Sequence, residues 1–446
     1  MSERRNSGIL GHVVMTFFGQ SSGYVVAVLT GIVVARTLGP AGKGVAAYAS
    51  LLLAIFTTYG NGLQAAVMYQ CGRNGEPVEL VYGSALRIIG ATMLPCAAVL
   101  LALGLLLPAH ASLAFLACAL PFAVYGQVTM GFFLLKGEIR TTIVQGAFNS
   151  FGVALFTIPA LLVWHGGITA VLGIWATMFA CSGLYAFFRI GAFAPRSNLG
   201  TTLATIREQV WFSIKTGSVS LADFLNLRVD VFVVGLMLDA RSLGIYSLAV
   251  ATGELMWQLS RPLAWTTVGR IASAERAEAI ALTAKVTRNI LAVEAVVGVA
   301  IFALAPAAVR LVYGPAFAQS GEVVRWLIPG LVLYAAHGAL GYFVMVKEGK
   351  PLTILAVQTT SIVACAAITV ATIHSFGIFG AALATTITYC FAAVIKAWLF
   401  MRYTGTSPLV FTLLQPEDIE RYRRLAGTLL ARPFDRLMLR RAEARS

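Results

Sequence analysis

The chain has 446 residues, of which 58% are hydrophobic and only 12% are charged, about half the charged fraction of a soluble domain. At a mean hydropathy of +0.81, a single soluble core would lack enough polar surface, so the composition excludes a soluble enzyme, a disordered chain and a disulfide scaffold. The net charge of +14 fits membrane topology and is no evidence for nucleic-acid binding.

Uncharged stretches in the first half predict six membrane-spanning helices. A spanning helix needs about 20 apolar residues, and the stretches that are long enough are 6–35, 44–72, 88–135 and 141–188. The first two stretches hold one span each, and the other two hold two spans each, with turns at 108–110 and 165–167. Because the first stretch lacks a small-residue cleavage site, we expect a permanent span rather than a signal peptide.

The second half repeats this scheme with more charged interruptions. We predict six further spans, near 211–238, 242–268, 287–312, 324–346, 352–373 and 377–401. The stretches are apolar on every face, which favours helices. The polar connector 269–286 predicts an amphipathic helix after the eighth span. We therefore expect an all-α polytopic membrane protein with about twelve transmembrane helices.

Basic residues are unevenly distributed between the two sides of this topology. With the N-terminus in the cytoplasm, the outer turns hold only Arg36, Lys43, Arg241, Arg310 and Arg325. The other basic residues outside the spans then lie inside, as positively charged loops prefer. The distribution predicts that both termini are cytoplasmic.

Two segments of the first half recur in the second half in the same order. Residues 33–44 align with 233–244 at an offset of 200, and residues 131–135 align with 341–345 at an offset of 210. The order indicates a six-plus-six duplication. Because each copy has an even number of spans, the copies are related by an axis along the membrane normal, with a substrate cleft between them.

The predicted domains are an N-terminal six-helix lobe over 1–195, a parallel-related C-terminal lobe over 196–401, and a cytoplasmic basic tail over 402–446. Within the tail, Pro416 and the acidic residues after it predict a helix start. Apolar residues at helical spacing make this helix amphipathic, and it could lie on the membrane surface or dock a cytoplasmic partner.

Charged residues inside spans are costly and usually face a cavity or a partner. Six of eight such residues fall in one region and are Lys215, Asp223, Arg228, Asp230, Glu254 and Arg261. At about 100° per residue, one face of the seventh span carries Lys215, Asp223, Asn226 and Asp230. One face of the eighth span carries Glu254, Gln258 and Arg261. The cluster indicates a water-filled transport cavity, or ion pairs that hold helices in register.

Other candidate residues follow from the same reasoning. The carboxylates that could couple transport to Na⁺ or a proton are Asp223, Asp230 and Glu254, because burial favours a protonated carboxyl. Uncharged polar candidates in the first-half spans are Gln20, Asn61, Gln64, Gln145 and Asn149. Each of these could instead make an interhelical hydrogen bond.

No pattern typical of an enzyme or a metal site is present. The sequence has no P-loop, no CxxC pair and no HExxH motif, and the predicted outer loops are too short for a catalytic domain. We therefore expect no enzymatic activity, no metal and no cofactor, apart from a coupling ion.

Two motifs resemble those of a known transporter family. Residues 35–44, Ala-Arg-Thr-Leu-Gly-Pro-Ala-Gly-Lys-Gly, are similar to its ARxLGPxxxG signature. Residues 225–230 and 243–249 resemble its seventh-span N-x-R-x-D and G-x-Y-S-x-A pattern. The family is that of the polysaccharide transporters, the Wzx-type lipid-linked oligosaccharide flippases of the MOP (MATE-like) superfamily, and the resemblance covers about 8–400.

The resemblance implies a bundle of two six-helix lobes in the bacterial inner membrane. Such proteins move polyprenyl-pyrophosphate-linked oligosaccharide to the outer leaflet by alternating access, for exopolysaccharide, O-antigen or capsule biosynthesis. The implied pyrophosphate contacts are Arg36, Lys215, Arg228 and Arg261, and the Asn and Gln residues, with Gln258, would meet sugar hydroxyls. Arg36 could instead reach the outer interface from the end of its span.

Two other functions remain open from the sequence. A MATE-type cation-coupled drug or metabolite antiporter would have the same fold but a cavity dominated by acids. A non-transporting scaffold would bind a polysaccharide polymerase or glycosyltransferase through its basic tail. The expected partners are thus the lipid-linked oligosaccharide and membrane lipids, with such an assembly complex as a further candidate and no nucleic acid.

Overall fold

The structure is a computed structural model that describes residues 2–106, 112–191, 201–420 and 422–424, without the side chains of 2–21, 112, 259, 261–266 and 268. Within these ranges the chain folds into helices joined by short turns, and no strand is present. Long uncharged sequences form helices because only a helix satisfies every backbone polar group inside its own segment.

Six spans precede residue 191. Their helices are α1 (Ser2–Gly72), α2 (Val78–Leu106), α3 (Ser112–Leu135), α4 (Ile139–Ala147), α5 (Val153–Leu162) and α6 (Ile168–Ile190). A π-helical turn, Phe148–Gly152, joins α4 to α5 into one span. The predicted turn at 165–167 separates α5 from α6 and is confirmed, whereas the predicted turn at 108–110 lies outside the described residues.

The second half contains six further spans. Their helices are α7 (Leu203–Met237), α8 (Ala240–Glu254), α9 (Trp257–Ser273), α10 (Arg276–Tyr313), α11 (Ala318–Tyr342), α12 (Pro351–Phe376) and α13 (Ile378–Thr404). A second π-helical turn, Phe343–Lys347, extends α11, and α14 (Pro408–Thr412) follows the last span. The chain is helical again from Pro416, where the tail helix is predicted to begin.

The expectation of about twelve spans is confirmed. Nine of the described helical segments are long and apolar enough to cross a membrane. That set counts the kinked helix α1 once and leaves out α7 and the pair α8–α9, which carry the charged cluster. Two spans in α1 and one each for α7 and α8–α9 bring the total to twelve.

The kink of α1 lies at Gly39 and Pro40. Gly39 has a φ of 66°, a conformation that a residue with a Cβ rarely adopts, and Pro40 cannot donate the next helical hydrogen bond. The helix restarts at once after the kink. The prediction that Lys43 belongs to an outer turn is therefore wrong, because this residue lies in the first turn of the second helical segment.

Two further predictions need correction. The connector 269–286 is no separate amphipathic helix, because α9 continues to Ser273 and α10 starts at Arg276 without any glycine or proline to stop it before the ninth span. The eighth span is interrupted after Glu254, where three backbone N–H groups bond to carbonyls three residues earlier. This tighter winding advances each residue by about 120°, so Glu254 and Gln258 do not share the predicted straight face.

The chain packs into two compact units. The first unit comprises the residues up to Val250 with Ala305–Val323 and Ile362–Ala384, and the second comprises Ala251–Leu304, Val324–Ser361 and the residues from Thr385 onward. A core of buried aromatic and aliphatic side chains from α1, α2, α3 and α6 fills the first unit. The second unit has its own core, in which Phe343, Phe400 and Phe411 stack edge to face. The predicted lobe boundaries at 195 and 401 stay a prediction.

Candidate ligand-binding cavity

Two glycines bring α1 and α8 into backbone contact in the first unit. A Cβ on Gly44 would lie 1.7 Å from the carbonyl oxygen of Ala240, and a Cβ on Gly244 would lie 1.9 Å from that of Pro40. Both contacts relate the same pair of positions through the offset of 200 that the sequence repeat shows. At this crossing of α1 and α8, the two helices therefore contact each other through equivalent positions of the two repeats, as a duplication predicts. Only glycine fits there, because a side chain would overlap the facing backbone.

The motif over residues 225–230 and 243–249 forms a buried hydrogen bond next to this crossing. The Tyr246 hydroxyl donates to Oδ2 of Asp230 over 2.5 Å, and the backbone N–H of Val231 lies 2.8 Å from Oδ1. Asp230 and Tyr246 are 3% and 0% exposed, so the carboxylate of the N-x-R-x-D motif is held by the tyrosine of the G-x-Y motif. This bond ties α7 to α8 beside the crossing.

A cavity of about 440 Å³ lies among α1, the π-helical turn and α6. The part of α1 before the kink contributes Ala27, Thr30, Gly31 and Val34. The part after the kink contributes Lys43, Ala46, Ser50, Leu53 and Thr57. Because both sets recur every three or four residues, each is one face of a helix, and the kink turns the two faces toward the same space.

Lys43 is the one charged residue among the described residues that line the cavity. It is partly buried, and no carboxylate forms an ion pair with it in the described part of the chain. Burial separates its ammonium from part of the surrounding water. Since an ammonium that loses water without a counter-ion costs several kcal/mol, an anion in this cavity would be stabilised.

The opposite wall combines polar and aromatic side chains. Asn149 and Ser150 come from the π-helical turn, and Trp175 and Phe179 lie one turn apart on α6. The extra residue of a π turn shifts the helical face, which brings Asn149 to the cavity. Among the first-half candidates whose side chains the structure describes, Asn149 is the one that lines the cavity.

The other first-half candidates form hydrogen bonds between helices. The Gln127 amide nitrogen donates to Oδ1 of Asn61 over 2.6 Å and to Oε1 of Gln64 over 2.8 Å. The buried Gln145 donates to the carbonyl oxygen of Gly126 over 2.7 Å. These three candidates thus join helices. A role in binding sugar stays a prediction, and the side chain of Gln20 lies outside the described residues.

Arg36 caps the C-terminal end of α10. Its Nε and Nη2 atoms donate to the carbonyl oxygens of Val312 and Leu311 over 2.7 and 2.5 Å, two of the carbonyls that the C-terminus of α10 leaves without helical partners. A guanidinium at this negative end of the helix dipole is stabilising. The geometry gives Arg36 a structural role, and its contact with pyrophosphate stays a prediction.

The second-half candidates lie on α7 and on the interrupted eighth span. Lys215 is exposed, and its ammonium lies 4.9 Å from the centre of the Trp211 ring. Arg228 donates to the carbonyl oxygen of Leu227 over 3.1 Å. Asp223 is exposed, whereas Asn226 and Asp230 are buried, and Glu254 and Gln258 are partly buried. The side chain of Arg261 lies outside the described residues, and the ligand and coupling roles of this set stay predictions.

Two charged residues, Lys43 and Glu294, were not among the predicted ligand-binding residues. The glycine and proline before Lys43 favoured a turn there, although the small or polar residues at 43, 46, 50, 54 and 57 form a helical stripe. Glu294 of α10 is fully buried and makes no ion pair in the described part of the chain, with Ser260 as its polar neighbour. Its isolation among apolar residues was visible in the sequence, but its surroundings were not.

Comparisons with known proteins agree with this fold. The sequence model of the family described as polysaccharide biosynthesis protein matches residues 9–265. No curated protein sequence matches the chain. Among solved structures, the lipid II flippase MurJ in its inward closed conformation is 12% identical, with a TM-score of 0.74, and the match covers 90% of this chain and 88% of that chain.

Multidrug transporters show a similar likeness. An inward-facing multidrug resistance MATE family transporter of the MOP superfamily is 16% identical, with a TM-score of 0.67, and the match covers 86% of this chain and 94% of that chain. The eukaryotic MATE transporter AtDTX14 is 13% identical, with a TM-score of 0.62 and coverages of 89% and 96%. These likenesses confirm the expected fold class, a MOP-type membrane bundle.

Proposed function

The chain belongs to the polysaccharide biosynthesis protein family, and from this premise we propose that it is a lipid-linked oligosaccharide flippase. It moves polyprenyl-pyrophosphate-linked oligosaccharide from the inner to the outer leaflet by alternating access, and the product serves exopolysaccharide, O-antigen or capsule biosynthesis. The family match over more than half of the chain is the observation that carries this proposal. The protein acts as a transporter and catalyses no covalent step.

The fold supports the same function. A solved structure with this fold is named as a lipid II flippase. A bundle of about twelve spans can pass a polar head through its interior while the prenyl chain stays in lipid. We further propose that the protein resides in the bacterial inner membrane with both termini cytoplasmic, because basic residues favour that side.

The main alternative is a cation-coupled antiporter of the MATE type. A site for cationic drugs requires carboxylates, because opposite charges attract in a low-dielectric cavity. The described cavity contains a lysine and no acidic residue. Its charge thus favours an anionic substrate, and the flippase remains the better-supported function. A complex with a polymerase or glycosyltransferase through the tail is a further proposal of partners.

The direct test measures the sidedness of the glycan lipid in cells. Spheroplasts of a strain lacking the gene, and of the same strain with the gene restored, are treated with a membrane-impermeant glycosidase. We expect the lipid-linked glycan to stay protected without the gene and to become accessible when the gene is restored. Equal accessibility in both strains would contradict the flippase function and would turn attention to drug and ion antiport.

A further inference from the structure

The cavity beside the α1 kink has the size and lining of a small-molecule site. Its volume of about 440 Å³ lies in the range of about 300–1,000 Å³ that such sites occupy. We infer that this cavity binds a phosphorylated sugar, with the Lys43 ammonium against the phosphate and the α6 aromatic rings against the sugar. This inference rests on the proposed function and assigns one part of the substrate to one place in the first unit.

The charge of the cavity selects an anion. Lys43 has no carboxylate partner in the described part of the chain, so the ion pair that usually accompanies a buried lysine is missing. A phosphate would supply the counter-ion and accept up to three hydrogen bonds from the ammonium. A purely apolar occupant, such as a prenyl chain alone, would leave this charge uncompensated.

The polar wall suits a molecule with many hydroxyl groups. Thr30, Ser50 and Thr57 donate their hydroxyl hydrogens to carbonyls of their own helix, so their oxygens remain available as acceptors. Asn149 makes no side-chain hydrogen bond in the described structure and offers both a donor and an acceptor. A sugar hydroxyl is both donor and acceptor, and it can pair with each of these groups.

The aromatic wall suits the flat face of a sugar ring. Trp175 and Phe179 are both partly buried and line the same cavity. Aromatic rings supply large apolar area at small conformational cost, and the C–H face of a pyranose packs against them. The ammonium at one wall and the rings at the other therefore match the two ends of a sugar phosphate.

Binding to the purified full-length protein in lipid nanodiscs tests this inference. Three probes are compared: a short prenyl chain linked through pyrophosphate to N-acetylglucosamine, the same prenyl chain linked directly to N-acetylglucosamine, and glucose 1-phosphate. Lys43→Gln removes the charge, Lys43→Arg retains it, and Lys136→Gln removes an exposed lysine outside the cavity as the matched control. Binding of glucose 1-phosphate identifies a free sugar phosphate as sufficient, whereas binding of the pyrophosphate lipid alone identifies the lipid as the source.

We expect Lys43→Gln to weaken binding of the pyrophosphate probe by at least about tenfold, the loss of about 1.4 kcal/mol. The uncharged prenyl sugar should bind the wild type and this variant equally, and Lys43→Arg and Lys136→Gln should resemble the wild type. Equal binding of the pyrophosphate probe to the wild type and Lys43→Gln overturns the inference. An equal loss of both lipid probes also overturns it, because the charge would then not be what is recognised.

A second variant tests the location without touching the charge. Gly31 lines the cavity, and a Cβ on it would meet no atom within 4 Å, so Gly31→Leu adds its bulk to the cavity while its Cβ makes no close contact. We expect this variant to lose the pyrophosphate probe while Lys43 remains, and unchanged binding would place the site elsewhere. If the probe binds through Lys43 but the spheroplast assay shows no change, the proposed function fails and this site stands. If the sidedness of the glycan lipid depends on the gene but Lys43→Gln binds the pyrophosphate probe normally, the proposed function stands and this site fails.

Discussion

Lys43 in the first unit and Arg288 in the second unit are both withdrawn from water, yet their surroundings differ. Arg288 is 7% exposed, and its Nε donates to Oδ2 of Asp418, a carboxylate that also accepts from Asn289. Lys43 faces a cavity and has no acidic partner in the described chain. The protein itself supplies the counter-ion of the arginine, whereas the described part of the chain supplies none for the lysine, whose charge is open to a ligand. A paired cation thus indicates a structural joint, and an unpaired one indicates a binding site.

The joint around Arg288 connects the start of the tail to α10. Besides the ion pair, Arg288 donates to the carbonyl oxygen of Val410 over 3.2 Å, and the Tyr422 hydroxyl donates to Oδ1 of Asn289 over 2.5 Å. The acid that the sequence suggests as a partner of the helix dipole is therefore also a partner of an arginine. These contacts attach the start of the tail to α10.

The largest expected loss of stability comes from a substitution that displaces Lys43 rather than from one that removes its charge. Gly44→Ala places a methyl group 1.7 Å from the carbonyl oxygen of Ala240, so α1 and α8 must separate and the kink that positions Lys43 must shift. We expect a loss of more than about 4 kcal/mol of stability, measured by thermal denaturation in detergent.

Gly31→Ala is the matched control, because its methyl group meets open space in another turn of the same helix. This substitution should leave stability unchanged or raise it by about 0.5–1 kcal/mol. Equal melting temperatures for the two variants would show that the crossing does not constrain the first unit.

Removing the counter-ion of Arg288 should cause the next largest loss of stability. Asp418→Ala leaves the Arg288 guanidinium buried without its counter-ion, and removal of one partner of a buried pair costs about 3–5 kcal/mol. The double variant Arg288→Met with Asp418→Leu removes both charges and should recover most of that loss. Denaturation of the single and double variants measures the coupling. If the single variant were as stable as the wild type, the joint would not hold the tail.

The same joint predicts a pH dependence. Burial alone would raise the pKa of Asp418, but hydrogen bonds from Arg288 and Asn289 outweigh it and hold the pKa below its usual value. A carboxyl with a depressed pKa stabilises the fold above its unfolded value of about 3.9 and loses this contribution as pH falls through the lower folded value. Denaturation from pH 7 into strong acid should show this loss in the wild type, and Asp418→Asn should lack that step.

The sequence predicts the helices far better than the site. Apolar length predicts most of the spans but not α7 and the pair α8–α9, which charged residues interrupt. Gly39-Pro40 is a helix-breaking dipeptide, and the break follows from local backbone chemistry. The contact between Gly44 of α1 and Ala240 of α8 joins distant parts of the chain, so local patterns do not reveal it or the cavity that Lys43 faces. The partner of Arg288 is 130 residues away in the chain, so no spacing rule reveals it.

The smallest expected effect on stability belongs to Lys43. Lys43→Gln removes an unpaired charge, so the free energy of unfolding should change by less than about 0.5 kcal/mol or rise slightly. The same variant should lose most of its transport. Denaturation and the spheroplast assay on one preparation separate the two effects, and a stability loss as large as that of Asp418→Ala would mean that Lys43 is structural after all.

Transport in proteoliposomes tests the central claim most directly. Vesicles with the wild type, Lys43→Arg or Lys43→Gln receive a prenyl-pyrophosphate-linked sugar in one leaflet, and an impermeant glycosidase reports its arrival in the other leaflet. We predict that the wild type and Lys43→Arg raise the initial rate above that of protein-free vesicles, and that Lys43→Gln reduces the rate by at least about tenfold while remaining folded. A wild-type rate equal to that of protein-free vesicles, or equal rates for all three proteins, would contradict the account.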